Sequence, residues 1–168
     1  MQIVCYPHPA LRWKSKPVVR IDADLKQMVR TMFELMYATN GIGLAANQVA
    51  VPLRLFIMNA TGSAAESAAE HVFINPEIVR RKGSAEGEEG CLSIPDCRED
   101  VTRARTVTVR AQDLTGKVFE HTGEELLARA FLHETDHLNG KLYISHISAL
   151  KRDLIKRKIK KLVKAGEW

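Results

Sequence analysis

The stretch from Thr122 to Gly140, TGEELLARAFLHETDHLNG, decides how the chain is read. The spacing Thr122-x-x-Glu125 predicts a capping box: the threonine hydroxyl accepts from the Glu125 amide and the Glu125 carboxylate reaches back. A helix would then run through Phe131 and His137 and stop near Asn139-Gly140. Within it His133 and His137 lie four residues apart, so both imidazoles share a face and can meet one cation. Glu134 projects beside them, where a carboxylate can handle the proton of an attacking water. The plainer alternative is two half-buried histidines on a polar helix face. It gives the adjacent carboxylate no purpose.

Catalytic sites with two helical histidines usually add one protein ligand and keep a position for water. No His or Glu follows at the spacing of the common zinc proteases, so the candidate is upstream, at Cys91 in Glu89-Gly-Cys-Leu-Ser93. Gly87 and Gly90 bend that stretch, and Ser93-Ile94-Pro95 ends it. A metal-held thiolate is a ligand without being a nucleophile. By spacing alone, a small buried hydrophobe is an equal reading of Cys91. Gly41-Ile-Gly-Leu-Ala-Ala-Asn-Gln48 is the third feature. Its paired glycines suit close backbone approach, as to an extended substrate. It lacks the third glycine of a dinucleotide fingerprint and follows a helix, which excludes that reading. Gln48 either donates to a developing oxyanion or sits in a surface loop.

Around these segments, Asp22 to Thr39 reads as a helix whose apolar stripe is Leu25, Met28, Val29, Met32, Leu35 and Met36. Leu53 to Met58 suits a buried strand, and Thr61 to Glu70 reads as a flexible loop. Short strands are expected at Val72–Ile74 and Ile78–Arg81, flanking Asn75-Pro76. A hairpin is expected from Thr106–Val109 and Val118–His121 around a turn at Asp113–Gly116. A last helix spans about Ala149 to Lys164, with Leu150, Leu154, Ile159, Leu162 and Val163 along its stripe.

With 45% hydrophobic and 27% charged residues, 168 residues make one ordinary globular domain. No apolar run reaches bilayer length, and the first residues do not read as a secretory signal. Cys5, Cys91 and Cys97 are odd in number and include no CxxC, which points to a reducing compartment. The charge is uneven. Ala149 to Lys164 holds eight Lys or Arg and one Asp, net +7, against 17 basic and 19 acidic residues elsewhere, net −2. That asymmetry suits an anionic partner, or a solvated helix face.

Taken together, GIGLAANQ, EGCLS and HETDH resemble the three signature motifs of the peptide deformylase family, in the family's order. Tyr6-Pro7, Leu11-Arg12 and Lys16-Pro17-Val18 resemble its opening segment. Leu142, Ser148 and the basic ending resemble its tail in Gram-negative bacteria. The resemblance implies an α+β fold with small, mostly antiparallel sheets around a central helix carrying HETDH, plus N-terminal and C-terminal helices. Residues 1–147 would form the catalytic domain, and 148–168 a basic helix and tail of the same domain.

The resemblance also implies Cys91, His133 and His137 as metal ligands, Glu134 as general acid/base, and Gln48 with the Leu92 backbone N–H as oxyanion donors. The implied cofactor is Fe2+, with Zn2+, Ni2+ or Co2+ able to substitute. The implied reaction removes the N-formyl group from N-formylmethionyl nascent peptides and releases formate; the alternative is another metal-dependent peptidase or acyl-amide hydrolase. Ile42, Gly43, Leu44, Glu89, Arg98, Leu126, Arg129 and Ala130 would contact substrate. The Arg129 stem would line the methionine pocket while its guanidinium reaches solvent. The basic helix 149–164 would contact the ribosome; no membrane or DNA partner is expected. A bacterial cytoplasmic location follows, or an organellar one if a transit peptide has been removed. Three departures stand out: Leu132 where the family has Gln, Gly87 where relatives often carry a larger apolar residue (a more open pocket), and Cys97 beside the site.

Overall fold

In the computed structural model, which describes residues 1–168, seven strands and three α-helices follow one another around a single five-stranded sheet and a separate hairpin. Helix α1 is Ala23–Ala38, where the apolar spacing places it. Asp22 caps it, accepting from the Leu25 amide at 3.0 Å. Its buried face is Leu25, Val29, Met32, Phe33 and Met36. Met28 and Leu35 sit at the margin of that face, and Phe33 takes a place the stripe had not included.

The five-stranded sheet has the order β1 (Gly43–Ala45), β2 (Leu55–Met58), β3 (His71–Lys82), β6 (Thr106–Gln112) and β7 (Val118–Glu124), antiparallel throughout. Successive residues of β2 serve opposite faces. Leu55 and Ile57 pack toward α1, and Phe56 and Met58 toward α2 (Leu126–Leu138). A strand covered on both sides needs apolar residues at every position, which is why 55–58 reads as a continuous run. The remaining strands, β4 (Ala85–Cys91) and β5 (Ile94–Arg103), form the hairpin. It packs through Ile94, Cys97 and Val101 against Leu11, Tyr143 and the C-terminal helix α3 (Ala149–Ala165).

Several local expectations give way to tertiary structure. Asn75-Pro76 does not separate two strands. β3 is continuous, with a register shift between Ile74 and Glu77 and Asn75 at φ 51°. The Asn75 side chain is tied to the Val18 backbone through both its oxygen, at 2.7 Å, and its nitrogen, at 2.9 Å. Residues 64–69 form 3-10 turns rather than a flexible loop, because Asn59 donates to the Ser63 and Glu66 carbonyls. The Thr122–Glu125 capping box does not form. Thr122 stays in β7, its hydroxyl 2.8 Å from that of Thr108 across the ladder. Helix α2 starts at Leu126, and Glu125 precedes it at φ 50° with no side-chain cap. The sheet ladder continues to Glu124, so the threonine is held in extended backbone and cannot cap. The far end of α2 is as read, with Gly140 at φ 70°. A Cβ there would collide with the Arg12 carbonyl oxygen.

Helix α3 has the expected extent but a different buried stripe. Ile155 and Ile159 face the hairpin, whereas Leu150, Leu154 and Val163 are exposed. No helix is long and apolar enough to cross a membrane.

Candidate metal centre

Three distant segments meet on α2. The β4–β5 turn delivers Cys91 and α2 delivers His133 and His137. Their ligand atoms all lie within 4.8 Å of one another. Cys91 Sγ is 3.3 Å from His137 Nε2, which is 3.2 Å from His133 Nε2. Two imidazole nitrogens this close repel unless a shared proton or cation lies between them. One thiol and two imidazoles suit zinc, ferrous iron, nickel or cobalt. The residues therefore fit a divalent transition ion.

The far nitrogen of His133 is held by Glu89. His133 Nδ1 lies 3.1 Å from Glu89 Oε2, which makes it the protonated nitrogen and leaves the Nε2 lone pair facing Cys91. Glu89 is itself buried and gripped by two arginines. It accepts from Arg103 at 2.7 and 3.0 Å and from Arg129 at 3.1 Å. Burial pushes its carboxyl up, but hydrogen bonds from His133 and Arg103 outweigh that and hold it at about 2. Arg103 also donates to Asp136 at 2.7 Å, and Asp136 meets His146 at 2.7 Å. Glu89 lines the cleft, yet its carboxylate is held by Arg103, Arg129 and His133.

Burial lifts Glu134 to about 7, against the opposing attraction of His133. Its Oε2 is buried without a hydrogen-bond partner. A carboxyl poised near neutrality suits proton transfer in either direction. Gly43 makes room for it: a Cβ on Gly43 would stand 2.6 Å from Glu134 Oε1. A Cβ on Gly41 would meet Leu92 Cδ1 at 2.7 Å. The paired glycines thus accommodate the chain's own side chains, a reason their spacing did not reveal.

Gln48 is buried, not a surface residue. Its Oε1 accepts from the Ala45 amide at 2.9 Å, and its Nε2 lies 3.1 Å from Ser93 Oγ and 3.6 Å from Cys91 Sγ. The amide is thereby oriented with its N–H side toward the sulfur.

Cys91, His133, Glu134 and Gln48 line a cleft of about 590 Å³, which the buried His137 does not reach. Ile42, Gly43, Leu92, Leu126, Ala130 and Arg98 line it, together with Arg129 and Glu89. Leu44 does not. It is fully buried in the core under α1, because alternation along β1 turns it away from the cleft. Arg129 also differs from expectation. Its guanidinium is buried, donating to Glu89, to the Val101 carbonyl at 2.6 Å and to the Ala85 carbonyl at 2.9 Å. Gly87 therefore does not open the pocket. A Cβ there would sit 3.1 Å from the Arg129 guanidinium, so the arginine fills the space. Leu132 packs into the apolar cluster between α2 and the sheet. Cys97 is 7% exposed and lines the cleft. The sequence reading missed Ser93, Arg103, Asp136 and His146. Of these only Arg103 and Asp136 carry a charge that could have raised suspicion, and nothing local couples them.

The profile of the polypeptide deformylase family matches residues 1–153. A peptide deformylase from Acidobacterium capsulatum is 53% identical over 167 residues, covering 99% of this chain and 97% of that one. The crystal structure of a peptide deformylase from Legionella pneumophila superposes with a TM-score of 0.91 at 44% identity, covering 98% and 96%. A peptide deformylase from Plasmodium falciparum gives the same TM-score at 36% identity, with the same coverage. Agreement of this extent, in sequence and in backbone, makes the chain a member of the polypeptide deformylase family of hydrolases.

Proposed function

We propose that this chain removes the formyl group from the N-terminal formyl-methionine of nascent polypeptides, with a divalent cation held by Cys91, His133 and His137. The observation that carries the reading is the convergence of one sulfur and two imidazole nitrogens, two of the three residues lining a cleft and His137 buried, beside the buried Glu134. Fe2+ is the proposed ion, with Ni2+, Co2+ or Zn2+ able to take its place. When bound, such an ion supplies Lewis acidity, acidifying water and polarising a carbonyl.

The chain's own residues do the rest. Glu134 takes the proton of the attacking water and returns it to the departing methionine nitrogen, giving formate and a free amino terminus. Gln48 Nε2–H and the Leu92 backbone N–H donate to the oxygen that gains negative charge. Substrate backbone pairs with the free edge of β1, whose other edge is taken by β2. Pairing through backbone alone reads few downstream side chains. The methionine side chain lies against Ile42, Leu126, Ala130 and the Arg129 stem, while Arg98 sits at the rim. A formyl carbon carries only hydrogen on its far side, so larger acyl groups clash.

Iron-loaded protein should release formate from formyl-Met peptides and leave acetyl-Met peptides and internal bonds intact. Cleavage of the latter with no action on formyl substrates would overturn the reading in favour of another acyl-amide hydrolase or a peptidase.

A second element of the proposal concerns α3. Its net +7 over residues 149–164 and the exposed Leu150 and Leu154 support contact with ribosomal RNA and protein near the emerging chain. Such binding should weaken steeply with salt. Salt-independent association, or none, would remove it.

A further inference from the structure

Away from the cleft, two further imidazoles face each other. His71 opens β3 and His121 lies within β7; their ring centroids are 4.7 Å apart at 57°. The His133–His137 pair has almost the same geometry, 4.8 Å at 73°, with its Nε2 atoms converging. Both outer rings are half-buried at the rim of the aromatic cluster between α2 and the sheet. His121 is 5.5 Å from Phe131, and His71 is 6.3 Å from Phe73.

The tautomer of His71 is set by a backbone carbonyl. His71 Nδ1 lies 2.8 Å from the Glu70 carbonyl oxygen, which can only accept. Nδ1 therefore carries the proton and Nε2 keeps its lone pair, the tautomer that Glu89 sets on His133. Burial and the neighbouring His71 both hold the His121 imidazole below its usual pKa, so it stays neutral near neutrality. Met58 stands directly opposite His71 in the β2–β3 ladder, which places a soft thioether on the same face. Imidazole ligands favour late first-row ions over magnesium or calcium, and a thioether on the same face favours them further.

We propose that His71 and His121 form a second site for a late first-row divalent ion such as zinc, separate from the cleft and weaker than its three-ligand site. An ion there would tie the start of β3 to β7 and stabilise the native state without touching the reaction.

The test is equilibrium dialysis of the zinc-loaded protein against excess zinc, followed by elemental analysis. Wild type and His8→Ala, which alters an exposed histidine elsewhere, should hold two ions per chain. His71→Ala and His121→Phe, the latter keeping a ring against Phe131, should each hold one. The remaining cleft ion reports that each variant is folded. One ion in the wild type, or two ions retained in either variant, overturns the proposal.

Discussion

Helices α2 and α3 both carry charge that matters, and they handle it in opposite ways. On α2, Arg129, Glu134 and His137 are buried, and the neighbouring Glu89 and Arg103 are buried with them. Every full charge in that set except Glu134 is matched by a partner at hydrogen-bond distance. On α3 the lysines and arginines stand in water. The helix is held by Ile155 and Ile159, by Lys151 on Glu99 at 2.7 Å and by Lys158 on the Asp96 carbonyl at 2.8 Å. Charges removed from water must be paired, and once paired they fix geometry. Charges left in water fix little but act at a distance, until salt screens them.

The largest expected effect tests the one α2 charge that lacks a partner. Glu134→Ala should abolish nearly all deformylation while elemental analysis still finds one ion in the cleft. Loss of the ion together with activity would mean that Glu134 holds the site rather than working in it. Gln48→Ala should lower kcat by roughly 10²–10³-fold if its amide meets the developing oxyanion. A fully active variant would refute that role.

The paired charges make a stability prediction. Glu89→Ala leaves the buried Arg129 with no carboxylate and Arg103 with Asp136 alone, and should cost about 3–5 kcal/mol in urea unfolding. A much smaller loss would mean that solvent reaches the arginines after all. The apolar contacts of the two helices differ in the same sense. Phe131→Ala, fully buried under the sheet, should cost about 3–5 kcal/mol. Leu154→Ala, 56% exposed on α3, should change stability by no more than about 0.5 kcal/mol. At the smallest end, replacing Lys160 and Lys161 with alanine should leave turnover of a short formyl peptide unchanged and weaken only salt-sensitive binding to ribosomes.

Much of this architecture is visible in short-range pattern. The apolar spacing of 22–39 marks α1, which spans 23–38; the run 53–58 marks a buried strand, which begins at Leu55; and Asn139-Gly140 marks the end of α2. The pairing of His133 with His137 follows from helix geometry alone. Where the reading failed, a local preference met a long-range one. Thr122 has the chemistry of a cap, but the β6–β7 ladder holds it in a strand. Leu150 and Leu154 have the chemistry of a core stripe, but the hairpin they would have to reach contacts the adjacent face of α3.

The amino-acid sequence by itself determined which residues could do the chemistry: a Cys, two His four apart, a Glu between them and a Gln behind a pair of glycines. Only the tertiary structure decided that Glu89 grips His133, that Arg129 turns inward over Gly87, and that Leu44 faces the core. The reason is distance along the chain. Periodicity reports contacts within a few residues, whereas Glu89, Arg103, Arg129 and His133 meet through a hairpin and a helix whose packing no local pattern encodes.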